Sequence, residues 1–132
     1  MRREELVKMK AGRSMDILVA EQVMGWQIET EQLKLNRLDS ILASGPDRTW
    51  WREPQGGWHC DPMPYSTDIR AAWKVVRNLI DRGQTLYLLQ SAEENRAAFR
   101  QPGEAGSDYF DDSDISVAIC KAALAHVGSL PS

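Results

Sequence analysis

Between residues 66 and 128 the apolar residues change period twice, from helix to strand and back, and this alternation limits the chain to an α/β or α+β fold. The first stretch places Ile69, Trp73, Val76 and Ile80 at i, i+4, i+7 and i+11, one stripe of a helix. Ser66 and Thr67 precede it as candidate N-caps, Asp68 lies in its first turn, and Gly83 ends it. Arg77 and Arg82 stand near its C-terminal end, where the helix dipole favours cations. Pro62 and Pro64 keep the chain upstream out of the α region. The stripe predicts Trp73 in the core, where truncation to Ala would cost about 3–5 kcal/mol.

Next, Thr85-Leu86-Tyr87-Leu88-Leu89 is short and apolar, bounded by Gly83 and the polar residues 91–95, which predicts a buried strand. Residues 96–101 and 108–110 give two more candidate strands around a Pro102-Gly103 turn and Gly106, completing a three-stranded meander. Asp111-Asp112-Ser113-Asp114 then supplies capping groups. A last helix carries Ile115, Ile119, Ala122 and Leu124 through Val127 to a stop at Gly128. Its alanines at 118, 122, 123 and 125 suit close packing.

Upstream, Ser14 offers an N-cap hydroxyl and Asp16 complements the helix dipole. Met15, Leu18, Val19, Val23 and Trp26 recur at helical spacing, and Gly25 is a natural left-handed stop, so a helix is expected over 15–24. Residues 1–13 start with a charged stretch, either a short helical turn or a loose arm. Residues 26–29 and 49–52 are candidate strands. Leu35, Leu38 and Leu42 give 32–43 the spacing of a short helix. No internal repeat is present.

At 132 residues the chain is one domain, and its 16 basic against 19 acidic side chains give a net charge of −3. That balance excludes a generic nucleic-acid coat or a polybasic membrane binder. No apolar run approaches the ~20 residues needed to cross a bilayer. The opening MRREELVKMK lacks the apolar core of a secretory signal, so a cytoplasmic protein is expected. The two cysteines, Cys60 and Cys120, make no disulfide framework. Reduced thiols are expected, and nothing in the sequence supports a bridge between them.

Few residues carry the pattern of a reaction. His59-Cys60-Asp61 groups three chemically active types, but neighbours in an extended segment point to opposite faces, and His126 is distant in sequence. Neither histidine makes a zinc-type pair with a cysteine, and Asp111, Asp112 and Asp114 lack the glycine and terminal glutamate of a calcium loop. No catalytic residue, metal or cofactor is expected. Trp26 and Trp73 fall on helical apolar faces, whereas Trp50, Trp51 and Trp58 lie in a Pro/Gly-bearing segment beside Arg48, Arg52 and His59. Aromatics next to arginines can stack a base and hold a phosphate. Tyr65-Ser66-Thr67 precedes a helix whose free N–H groups can receive an anion, unless Ser66 or Thr67 caps them and Asp68 repels it. The candidate ligand site is therefore Arg48, Trp50, Trp51 and Arg52 with Tyr65, Ser66 and Thr67. The alternative is that these aromatics fill a gap in the fold and bind nothing.

Three motifs carry a resemblance. Arg3-Glu4-Glu5 through Met9, Ala11-Gly12 and Asp16-Ile17-Leu18-Val19-Ala20-Glu21-Gln22-Val23-Met24-Gly25-Trp26 resemble the opening of the phage ABA sandwich domain family. Pro64-Tyr65-Ser66-Thr67-Asp68-Ile69-Arg70-Ala71-Ala72-Trp73-Lys74-Val75-Val76 is similar to its central motif, and Ala118-Ile119-Cys120-Lys121-Ala122-Ala123-Leu124 to its closing one. The resemblance implies a three-layer α/β/α sandwich around a small, mainly antiparallel sheet, encoded by phages and prophages, with no assigned enzymatic activity. Residues 30–46 depart from it as an insertion, and 91–107 are polar where a longer strand is expected.

Two functions from different classes follow as expectations. One is a non-enzymatic accessory protein that sequesters a small nucleotide-type defence signal. The other is an interaction module that directly inhibits a host protein through its acidic face. A small hydrolase is disfavoured by the missing catalytic set. A small sheet with edges to cover also predicts a homo-oligomer, most simply a dimer.

Overall fold

A helix that is apolar on every side has to lie inside the molecule. The C-terminal helix Ile115–Ser129 does so, with every residue from 116 to 124 buried. The computed structural model describes residues 3–28, 51–54, 56–59, 62–101 and 109–129. In chain order these form α1 (Arg3–Lys8), α2 (Arg13–Leu18) running into a π-helical turn (Val19–Val23), β1 (Gln27–Ile28), β2 (Trp51–Arg52) and β3 (Trp58–His59). Then come α3 (Ile69–Asp81), β4 (Thr85–Gln90), β5 (Asn95–Arg100), β6 (Phe110–Asp112) and α4 (Ile115–Ser129).

The fold is α+β, as the change of period requires. β4, β5 and β6 form an antiparallel meander in that order, with Leu88 opposite Ala97 and Ala97 opposite Phe110. β1, β2 and β3 form a second, smaller antiparallel sheet, with Ile28 opposite Trp51 and Trp51 opposite His59. α4 lies across β5 and β6 and gathers α1, α3 and the π turn around itself. Its start is capped as expected: Asp114 Oδ1 accepts from the Ser116 amide at 2.9 Å. Among the described residues no helix is long and apolar enough to cross a membrane.

Several local expectations change. Of the two alternatives for the N-terminal stretch, residues 3–8 take the helical one, with Leu6 in the core and the Lys121 ammonium donating to the Val7 carbonyl at 2.9 Å. Lys121, itself buried in α4, also faces Asp112 Oδ2 at 3.4 Å, which supplies its counter-charge. Ser14 is not an N-cap: Gly12 holds that position, and Ser14 is exposed within α2. The helix expected over 15–24 begins two residues earlier and widens into the π turn, after which Gly25 takes φ +76°. Neither Ser66 nor Thr67 caps α3; the Asp68 carboxylate does, accepting from the Arg70 amide at 2.9 Å. α4 runs through Gly128 to Ser129. The expected strand at 96–101 is β5, shifted by one residue and running through the polar segment. The third strand begins at Phe110 and includes Asp111 and Asp112. Residues 26–29 and 49–52 contribute β1 and β2 as expected, and β3 is an addition. The helix expected at 32–43, the insertion at 30–46 and the turn at Pro102-Gly103 and Gly106 lie outside the described residues.

Two corrections concern burial. α3 buries Ala71, Ala72, Val75, Val76 and Leu79, leaving Ile69, Trp73 and Ile80 exposed. The buried arc is rotated by roughly 100° from the expected stripe, about one residue of helix. Small residues decide the orientation: α3 packs on α4, and Ala71 and Ala72 on one helix with Ala118, Ala122 and Ala123 on the other permit a close approach that Trp73 would prevent. β4 is not buried either. It is the edge of its sheet, and Tyr87, Leu88 and Leu89 are exposed.

The tie that fixes where α3 starts is polar. Asp16, 7% exposed, accepts at Oδ1 from both the Ser66 amide and the Ser66 hydroxyl, each at 2.8 Å. Ser66 Oγ in turn accepts from the Gly12 amide at 2.9 Å, so it satisfies the start of α2 while α2 satisfies Ser66.

Two substitution tests follow from this packing, read by urea unfolding of dilute protein. Leu79→Ala should cost about 2–5 kcal/mol, and Trp73→Ala about 1 kcal/mol or less. Equal losses would return the Trp73 stripe to the core. Asp16→Ala should cost about 3 kcal/mol by stranding two buried donors, and Asp16→Asn, which keeps an acceptor oxygen, should cost less. A neutral Asp16→Ala would remove this tie from the fold.

Candidate functional site

One face of α3 and its C-cap carries polar groups at intervals of four, Lys74, Asn78 and Arg82. That face forms one wall of a cleft of about 360 Å3. The opposite wall comes from Met24, Gly25 and Trp26 after the π turn, from Glu53 and Pro54 after β2, and from Met63 and Tyr65 in the segment before α3.

Each wall has a local cause. The β2–β3 connection turns tightly, with the Glu53 amide donating to the Gly57 carbonyl at 2.8 Å and the Gly56 amide to Glu53 at 2.9 Å. A Cβ at Gly57 would lie 2.7 Å from Glu53 Oε2, so glycine there lets the Glu53 side chain fold back over the hairpin to His59 Nε2 at 3.1 Å. The His59 ring stacks on Trp26 with centroids 4.5 Å apart and planes 18° from parallel. Gly25, in the left-handed region, lets Pro54 approach closely: a Cβ there would meet Pro54 Cγ at 3.4 Å. The hairpin is thus seated on residues 24–26. Trp26 also meets the edge of Tyr65, with centroids 6.5 Å apart.

The cleft sets the packed side chains of Trp26 and Tyr65, both buried, against charge. Arg82 Nη2 donates to the Val23 carbonyl at 2.6 Å, which fixes its guanidinium at the end of the π turn. The Lys74 side chain is exposed. Asn78 Oδ1 is buried with no hydrogen-bond partner among the described residues. Such an orphaned acceptor in a cleft wall is suited to an N–H or O–H donor from outside. Burial raises the Tyr65 hydroxyl above its ordinary range, and the nearby Glu53 and Asp16 carboxylates add to this, so it stays protonated.

The expected ligand residues divide. Arg48 and Trp50 lie outside the described residues, as do Cys60 and Asp61. Trp51 is in β2, in register with Ile28 and His59. Arg52, also in β2, is exposed and donates to Gln27 Oε1 at 3.0 Å. Tyr65 lines the cleft, whereas Ser66 is fully buried with its amide and hydroxyl bound to Asp16. Thr67 is exposed in the turn before α3.

Lys74, Asn78, Arg82, Glu53 and Trp26 were not singled out as ligand residues. The signal for the first three was their i, i+4, i+8 spacing, masked because Arg82 also fits a helix-dipole role. The cysteine expectation can be followed at one position. Cys120 is free and fully buried, and burial raises its thiol well above the usual range, so it packs as a small apolar group. His126 sits in α4 with Nε2 2.8 Å from Gln84 Oε1. Among the described residues no three His, Cys, Asp or Glu side chains are placed to hold a metal ion.

No curated protein and no solved structure matches the chain. The family model of the Phage ABA sandwich domain matches residues 17–124, a span that takes in the π turn, the cleft, both sheets and most of α4. The chain therefore belongs to the Phage ABA sandwich domain family, a family of phage proteins.

Proposed function

We propose that the protein is a non-enzymatic phage accessory protein that binds a small nucleotide-type ligand in the cleft and thereby withdraws a host defence signal. The observation that carries the reading is the wall of α3: a buried amide acceptor, Asn78 Oδ1, lies between two cations at helical spacing, Lys74 and Arg82, opposite Trp26 and Tyr65. A phosphate suits the cations, and an exocyclic amine or ribose hydroxyl suits Asn78, while Trp26, 5% exposed and stacked on His59, and Tyr65, 1% exposed, are packed parts of the facing wall. Arg48, Trp50, Trp51 and Arg52 precede the Glu53–Pro54 rim in sequence, and on that adjacency alone they are proposed as further contributors.

The non-enzymatic part is supported by how few reactive groups stand together among the described residues. The Cys120 thiol is buried and protonated, and the acid–base pair at the rim, Glu53 with His59, has no nucleophile placed beside it among the described residues. The alternative, direct inhibition of a host protein, draws support from the exposed apolar side chains of α3 and β4.

Calorimetry against a panel of cyclic and linear nucleotides tests the reading. At least one nucleotide should bind, Lys74→Ala should weaken it about tenfold or more, and Arg48→Ala or Arg52→Ala should weaken it further. The ligand should be recovered chemically unchanged. Silence across the panel, or binding untouched by Lys74→Ala, contradicts the site and puts the host-protein reading ahead. A converted nucleotide contradicts the non-enzymatic part alone.

A further inference from the structure

Among the described residues, the other flank of α3 is apolar and exposed. Measured around the helix, Lys74, Asn78 and Arg82 lie roughly 90° to one side of the buried arc, and Ile69, Trp73 and Ile80 roughly 100° to the other. Trp73 is 47% exposed and Ile80 46%. α3 packs on α4 and touches β4, and β4 is the open edge of the meander. That edge reads Thr85-Leu86-Tyr87-Leu88-Leu89-Gln90, without a charge or a proline, and Leu89 is 53% exposed. Edge strands are ordinarily protected by charge, proline, a bulge or a covering element, and this sequence supplies no charge or proline.

We infer that this surface is the interface of a two-fold homodimer, in which β4 pairs antiparallel with β4 of a second copy and the two α3 helices meet beside the seam. Self-pairing fits for three reasons. An antiparallel strand pair related by a two-fold axis is complementary to itself, and β4 carries no charge of its own, with the Arg100 guanidinium lying over the Tyr87 ring from the neighbouring strand. Pairing about Leu88 sets Tyr87 opposite Leu89 of the partner subunit, an aromatic against an aliphatic side chain on one face of the joined sheet. On the other face, α3 runs back beside β4, so the same axis sets the two α3 helices antiparallel and faces Trp73 with Ile80 of the partner subunit. The exposed parts of these side chains with a six-residue edge come to at most roughly 500 Å2 per protomer. Two copies would bury up to about 1,000 Å2, the lower end of a specific interface and the range of micromolar association. The cleft lies on the opposite flank of α3, so pairing leaves it open.

Sedimentation equilibrium of the full chain at roughly 100 µM, above the expected micromolar range, tests this. Wild type should sediment at twice the chain mass. Leu89→Lys and Trp73→Glu, each with an unchanged circular dichroism spectrum, should sediment as monomers at the same concentration. A monomeric wild type, a closed assembly other than a dimer, or a dimer that both substitutions leave intact overturns the inference. None of these outcomes depends on whether the cleft binds a nucleotide.

Discussion

The fold is organised around one buried carboxylate. Asp16 lies in the second helix, yet its two short bonds go to Ser66, fifty residues away and just before α3. A charge in that position is tolerable because an amide and a hydroxyl both point at it, and it in turn holds the chain at the point where α3 begins. Ser66 closes the circuit by accepting from Gly12. This places Tyr65 against Trp26 and holds the start of α3, whose rotation, and with it the two surfaces it presents, is then set by the small residues that meet α4.

Those surfaces divide the molecule's chemistry along a single helix. Between them runs the small-residue arc that meets α4, and the closeness of that contact fixes which side chains are left outside. The polar flank faces a cleft built from the π turn and the β2–β3 hairpin, where an aromatic wall stands against cations. The apolar flank continues onto an uncharged strand edge. The proposed ligand site and the proposed dimer seam lie on opposite flanks and would not compete for space, so two copies joined through β4 would present two open clefts.

Much of this architecture was legible in the chain. The shift from helical to strand period at Gly83 located the meander, Gly25 marked the end of the first helical run, and the alanines of α4 indicated close packing. Burial was harder to read. Trp73 sat on a stripe of large side chains, but Ala71 and Ala72 outcompeted it because helix–helix distance is set by the smallest residues at the contact. β4 looked buried because composition alone does not distinguish an edge strand from a central one. Ser66 and Thr67 both had the chemistry of a cap. The carboxylate that claims Ser66 comes from a distant segment, and a local reading has no means of pairing them. The cleft shared Tyr65 with the expected site. Its α3 wall was visible only as a four-residue spacing whose meaning depends on which way the helix faces.

Native mass spectrometry of the protein recovered from phage-infected cells puts the central claim, that the cleft holds a small ligand, to the most direct test. The recovered protein should carry an extra nucleotide-sized mass that is released on denaturation, and the Lys74→Ala protein recovered in the same way should not. A bare protein from infected cells, or an adduct retained equally by Lys74→Ala, would contradict it.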